Sequence, residues 1–169
     1  FMLTKTDLKG VITYANKDFI DVSGFSEAEL VGSSHNIVRH PDMPVEAFED
    51  MWRNLKAGRP WTGMVKNRCK NGDYYWVLAN AAAIVENGQI TGYLSARRKP
   101  TREQVDEAAA AYRLFKDGNA KHLVIHEGKV MKNDLISRIR YKLLNYTVSK
   151  RLMTMVGLAA VVVAVQAAI

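Results

Sequence analysis

The stretch from Trp61 to Arg98 constrains this chain more than any other. Trp61 to Lys70 alternates, with Trp61, Gly63, Val65, Asn67 and Cys69 on one face and Thr62, Met64, Lys66, Arg68 and Lys70 on the other. The basic face belongs in solvent, so Asn67 points inward, where an amide must find a partner. Asn71-Gly72 and Asn87-Gly88 are hairpin turns, which makes Tyr74 to Val85 and Ile90 to Arg98 the next two strands of an antiparallel meander. The middle strand carries Tyr74, Trp76, Leu78, Ala82 and Ile84 on one face and Tyr75, Val77, Ala79, Ala81, Ala83 and Val85 on the other; apart from Asn80 both are apolar. One face covers a core. The other needs cover of its own, expected from the region before Phe1, a second subunit or a signalling region beyond this chain.

Upstream, Met2 to Lys5 and Gly10 to Tyr14 flank a tight Asp- and Gly-containing turn and form a short antiparallel pair. Two brief helices follow, Asn16 to Val22 and Glu27 to Leu30, opened by Asn16 and Ser26 as caps. In a third helix Pro44 stands in the first turn, Phe48, Met51, Trp52 and Leu55 recur at helical spacing, and Gly58 closes it. The result is an α+β domain over residues 1–100, a five-stranded antiparallel sheet with its helices inserted between the second and third strands. That order describes the PAS sensor fold.

Composition matters for the remainder. The formal charge of +7 over 169 residues suggests nucleic acid until it is located: residues 1–112 hold 14 basic and 14 acidic side chains, whereas residues 113–151 hold 10 basic against 3 acidic. Residues 101–151 thus read as a basic connector, helical over Thr101 to Lys116, where the helix leaves the sensor domain as an output lever. Leu152 to Ile169 carries no charge and extends about 27 Å as a helix, which reads as the start of a transmembrane helix. Lys150 and Arg151 before it, with Arg138, Arg140 and Lys142, obey the positive-inside rule and place everything upstream in the cytoplasm. The adjacent apolar segment accounts for the basic excess, so nucleic acid is not an expected partner.

The stretches HNIVRHPDMP (His35 to Pro44), MWRNLKAGRPWTGMVKNRCKNGDYYWVLANA (Met51 to Ala81) and GYLSARRKP (Gly92 to Pro100) closely resemble the PAS domain of bacterial aerotaxis receptors. The resemblance covers about residues 3–100. It implies a cytoplasmic sensor domain, anchored at the bacterial inner membrane, that binds FAD noncovalently and reports its redox state to chemoreceptor signalling regions and through them to the chemotaxis kinase complex, as a homodimer and without enzymatic activity of its own. By match to the family's motif, Asn16, Arg39, His40, Asp42, Phe48 and Asn67 stand where the family holds FAD, with Trp61 as a ring-side contact. A flavin needs an apolar slot, a few donors and acceptors for its ring, and positive charge for its pyrophosphate. Each residue also has a plainer reading: Asn16 as a helix cap, Asp42 as a cap of the third helix, Phe48 and Trp61 as core, His40 as a structural histidine. Only Asn67 resists one.

Other chemistries fit less well. Neither a Rossmann nor a P-loop glycine motif is present. The only cysteine, Cys69, falls on a strand and not in the helical segment where a light-driven flavin adduct requires one. Haem is the rival cofactor, since His35 and His40 lie where related domains place an axial ligand. His122 and His126, four apart, lack the acidic neighbours of a hydrolytic metal site. The alternative function is the flavin- or haem-binding input domain of a membrane-bound histidine kinase or cyclic-dinucleotide enzyme.

Overall fold

A computed structural model describes residues 1–144, so the apolar segment Leu152 to Ile169 lies outside the described residues. Among the described residues no helix is long and apolar enough to cross a membrane. The chain divides into two units, Phe1–Met131 and Lys132–Ile169. In the second, the described residues include a helix, Leu135–Leu144, with Leu135, Ile136 and Ile139 exposed.

The first unit is built on a five-stranded antiparallel sheet in the order β2-β1-β5-β4-β3. Its strands are β1 (Met2–Thr6), β2 (Ile12–Ala15), β3 (Trp61–Arg68), β4 (Tyr74–Glu86) and β5 (Gln89–Arg98). Helices α1 (Lys17–Ser23), α2 (Glu27–Leu30) and α3 (Val45–Lys56), with a 3-10 turn at His35–Val38, occupy the span between β2 and β3. Register carries the alternation read above across strands: Trp61 faces Ala81, Gly63 faces Ala79, Val65 faces Val77 and Asn67 faces Tyr75. Trp61, Val65, Val77, Ala79 and Ala81 are all buried. The inner face of β4 is therefore the Tyr75–Val77–Ala79–Ala81 face.

The connector does not simply leave the domain. Helix α4 (Arg102–Lys116), opened by a capping box between Thr101 and Gln104, packs on β3. Tyr112 stacks on Trp76 with ring centroids 6.1 Å apart, and its hydroxyl donates to the Met64 carbonyl at 2.8 Å. Trp76 and Met64 belong to the outer face of the sheet. Part of the cover expected from outside the chain is thus supplied from within it, because a helix with Ala108 and Tyr112 on one side can bury that apolar surface. A second departure is a hairpin, β6 (Leu123–His126) and β7 (Lys129–Lys132), in a region read only as basic connector. Its two-residue turn, Glu127-Gly128, has positive φ at both positions, the geometry that matches strand twist in tight hairpins. Ile125 of this hairpin is 3% exposed and belongs to the same core cluster as Ala47 and Trp61.

Candidate functional site: a cavity between sheet and helices

The inner face of the sheet is not filled by side chains. Small residues at Ala79 and Ala81 leave a cavity of about 300 Å³ walled by Phe48, Met51, Trp52 and Leu55 of α3, Val65 and Asn67 of β3, and Tyr93, Ser95 and Arg97 of β5. This volume stands at the lower end of ligand pockets. The walls on the helix side are the apolar stripe of α3; Trp52 packs edge-on against Tyr93 at 5.3 Å, which fixes that corner.

Polar groups converge on the space from two sides. On one, Arg39 and Asn67 are paired through a backbone bridge. The Arg39 guanidinium lies 4.0 Å above the Phe48 ring, a stacking that holds its planar donor fork at the cavity. Asn67 is 3% exposed and its Nδ2 has no hydrogen-bond partner. On the other side, Arg97 is 5% exposed; it donates to Thr4 Oγ1 at 2.9 Å and to His35 Nε2 at 2.8 Å, and lies over the Phe19 ring at 5.1 Å. No described carboxylate pairs with it. Burial lowers its pKa to about 10, which leaves it charged at neutral pH. His35 is pushed down to about 3, first by burial and then by the charge of Arg97, so its ring is neutral and its Nε2 accepts.

Of the residues singled out from sequence, Arg39, Phe48 and Asn67 line the cavity; Asn16, His40, Asp42 and Trp61 do not. Asn16 caps α1, accepting from Phe19 N at 3.2 Å and Leu3 N at 2.9 Å. Trp61 is 2% exposed and donates its Nε1–H to Asp50 Oδ2 at 2.8 Å. Asp42 faces out of the fold, bonded to Lys66 Nζ at 2.7 Å and Lys116 Nζ at 3.4 Å, and it does not cap α3, whose N-cap is Pro44. Lys66 and Lys116 hold its carboxyl below the usual range. His40 sits beside it, with Nδ1 3.5 Å from the carboxylate. The HPD segment thus ties α4 and β3 to the loop that carries Arg39. Nothing in the sequence marks Arg97 as a site residue: along β5 it shares a face with Gln89, Thr91 and Ser95, and its burial goes with its position opposite Ala79 on β4.

Comparison with known proteins agrees with this architecture. Residues 12–97, just over half the chain, match the PAS fold family. The chain belongs to the PAS family. This PAS domain is 46% identical over 138 residues to the aerotaxis receptor of Escherichia coli, covering 82% of the chain and 27% of the receptor. It is 29% identical over 97 residues to the nitrogen fixation regulatory protein of Klebsiella pneumoniae, covering 57% of the chain and 20% of that protein. The chain thus spans about a quarter or less of the length of these relatives. Among solved structures, the dark-state LOV domain of the blue-light photoreceptor Aureochrome1 superposes with a TM-score of 0.58 at 20% identity, over 64% of this chain and 85% of that one, a likeness of fold.

Proposed function

We propose that this PAS domain is the redox-sensing input of an aerotaxis receptor and that its cavity holds the isoalloxazine ring of FAD. One observation carries the reading: the buried Asn67 Nδ2, set opposite the equally unbonded Tyr75 hydroxyl, lines a cavity that also holds the buried cation Arg97, with which no described carboxylate pairs. Leaving such groups unpaired is costly, so a ligand with acceptors and negative charge is what the site lacks. The apolar walls Phe48, Met51, Trp52 and Leu55 suit a flat ring, and the aliphatic Leu55, Val65 and Ala79 leave it room. A cavity of this size takes the ring system, so the dinucleotide tail must run out past Arg39, whose donor fork suits a pyrophosphate.

When bound, the flavin supplies reversible electron uptake at its ring. The chain's residues do the rest. Arg97 meets negative charge that develops on reduction, and His35, neutral and accepting, fixes the orientation of the guanidinium without adding charge. Asn67 can turn either end of its amide toward the ring, donor or acceptor, as the ring's needs change. Haem is disfavoured as occupant because His35 Nε2 is engaged by Arg97 and Thr4 and its Nδ1 edge would need the ring to turn over, while His40 lies beside Asp42 and does not line the cavity. The similarity to the aerotaxis receptor supports the remaining assignments: a homodimer at the inner membrane, the sensor domain in the cytoplasm, and output to a chemotaxis signalling module.

Fluorescence titration with FAD tests the reading. The wild-type chain, stripped of cofactor, should quench and bind FAD stoichiometrically, and Arg39→Ala should weaken binding by about ten- to a hundredfold, as expected for a lost charge-assisted contact. Equal affinity in the two proteins would contradict the role of Arg39.

A further inference from the structure

Helix α3 has two buried faces. Toward the cavity it presents Phe48, Met51, Trp52 and Leu55; on its other side Ala47, Asp50 and Asn54 are 1%, 1% and 2% exposed. Asp50 is the unusual member. A carboxylate so buried must be satisfied, and its partners come from three places. Within α3, Arg53 Nη2 and Asn54 Nδ2 donate to Oδ1. From β3, Trp61 Nε1 donates to Oδ2 at 2.8 Å. From the hairpin, the backbone N–H of Gly128 donates to the same oxygen, also at 2.8 Å. The hairpin is seated closely as well: Gly128 has φ +79° and a Cβ built on it would overlap the Thr62 carbonyl oxygen and crowd Gly63. Ile125 fills the core beside Ala47 and Trp61.

From this geometry we infer that Asp50 is a positioning residue that couples occupancy of the cavity to docking of the β6–β7 hairpin, making that hairpin an output element of the sensor. The proposal rests on the flavin reading of the cavity. A close-packed helix cannot shift on its cavity side without moving its far side. Asp50, bonded at one carboxylate oxygen to both β3 and the hairpin turn, transfers such a shift to the segment that leads directly into residues 132–144. Coupling of this kind is reciprocal: whatever loosens the hairpin must weaken the ligand by the same factor as the ligand tightens the hairpin. Residues far from the cavity, Gly128 above all, are then determinants of cofactor affinity.

Amide hydrogen exchange and FAD titration on the full chain in detergent test this together. In the wild type, loading with FAD should slow exchange across residues 123–131 by severalfold. Gly128→Ala, which touches no cavity residue and strains the turn, should raise exchange there in both forms and weaken FAD binding by about fivefold or more. Asp50→Asn should do likewise with α4 still docked, as the Trp76–Tyr112 contact reports by near-ultraviolet circular dichroism. Should Gly128→Ala fail to fold, the wild-type comparison with and without FAD decides alone. Unchanged exchange over 123–131 on loading, or a freed hairpin with unaltered FAD affinity, overturns the coupling while leaving the cavity reading intact. A wild-type chain that binds no FAD at all would instead defeat the cavity reading and the proposal with it.

Discussion

Arg97 donates to His35 Nε2 across 2.8 Å, and this buried guanidinium and half-buried imidazole have one fixed charge between them. The histidine stays neutral because it is largely withdrawn from water and because its neighbour is already a cation.

That state has a pH signature. A histidine whose folded pKa is about 3 and whose unfolded pKa is near 6.5 binds a proton in the unfolded chain first, so stability is present above pH 6.5 and lost as pH falls toward 3. The loss is about 1.4 kcal/mol per pH unit at most. Glu29, held down to about 2 by Lys70 and Ser26, contributes only below its ordinary range near 4.5. The window from pH 6.5 to 4.5 therefore belongs to two histidines, His35 and His40, the second also held down by burial, and the difference between wild type and a His35 variant gives the share of His35. Urea melts across that window should show falling stability for the wild type and a flatter profile for His35→Asn.

Replacing the cation tests its service to the ligand. Arg97→Gln removes the positive charge but keeps a donor, and it should lower the flavin midpoint potential by about 59 mV for a one-electron reduction, or about 30 mV for a two-electron one, per tenfold loss of relative affinity for the reduced form. Spectroelectrochemical titration reads this directly. An unmoved potential would mean that Arg97 is structural.

Asn67→Asp should keep the fold, since its backbone bridge to Arg39 is untouched, yet alter the redox properties. The carboxylate removes the donor and adds a charge that opposes reduction. A potential and a receptor output equal to wild type would reduce Asn67 to a structural role.

Asp42→Ala separates scaffold from site. It frees Lys66 and Lys116 and should loosen α4, with a stability cost of about 1 kcal/mol or less because the carboxylate is half exposed. FAD affinity should fall less than in Arg39→Ala. Titration of both variants side by side checks the order.

The meander was legible from its two Asn-Gly turns and the alternation of β3, but its register was not: β4 is apolar on both faces, the β3–β4 connection spans Cys69 to Asp73, and the β4–β5 pairing slips between Ile84 and Val85. The inward Asn67 followed from the same pattern. Proximity in the sequence misled elsewhere: Arg39 reaches the cavity while His40, next along the chain, packs against Tyr74 outside it and Asp42 faces outward, and no local pattern marks where the backbone turns. Trp61 was placed as a ring-side contact, but its indole N–H is taken by Asp50, a long-range partner invisible to periodicity. The hairpin had its signal in two short runs of strand-forming residues, Leu123 to His126 and Lys129 to Lys132, around a Gly128 turn; neither run alternates, and the turn was masked by a Glu127 in a left-handed conformation that seldom suits a glutamate. The outer cover by α4 depends on Tyr112 meeting Trp76, 36 positions away.

The most direct test of the account is the absorption spectrum of the chain purified from cells, followed by extraction and identification of the chromophore. Flavin bands with FAD released in a ratio near one per chain, bleached by reductant and restored in air, are the predicted result. A Soret band, or a colourless folded protein that fails to take up added FAD, would contradict the account.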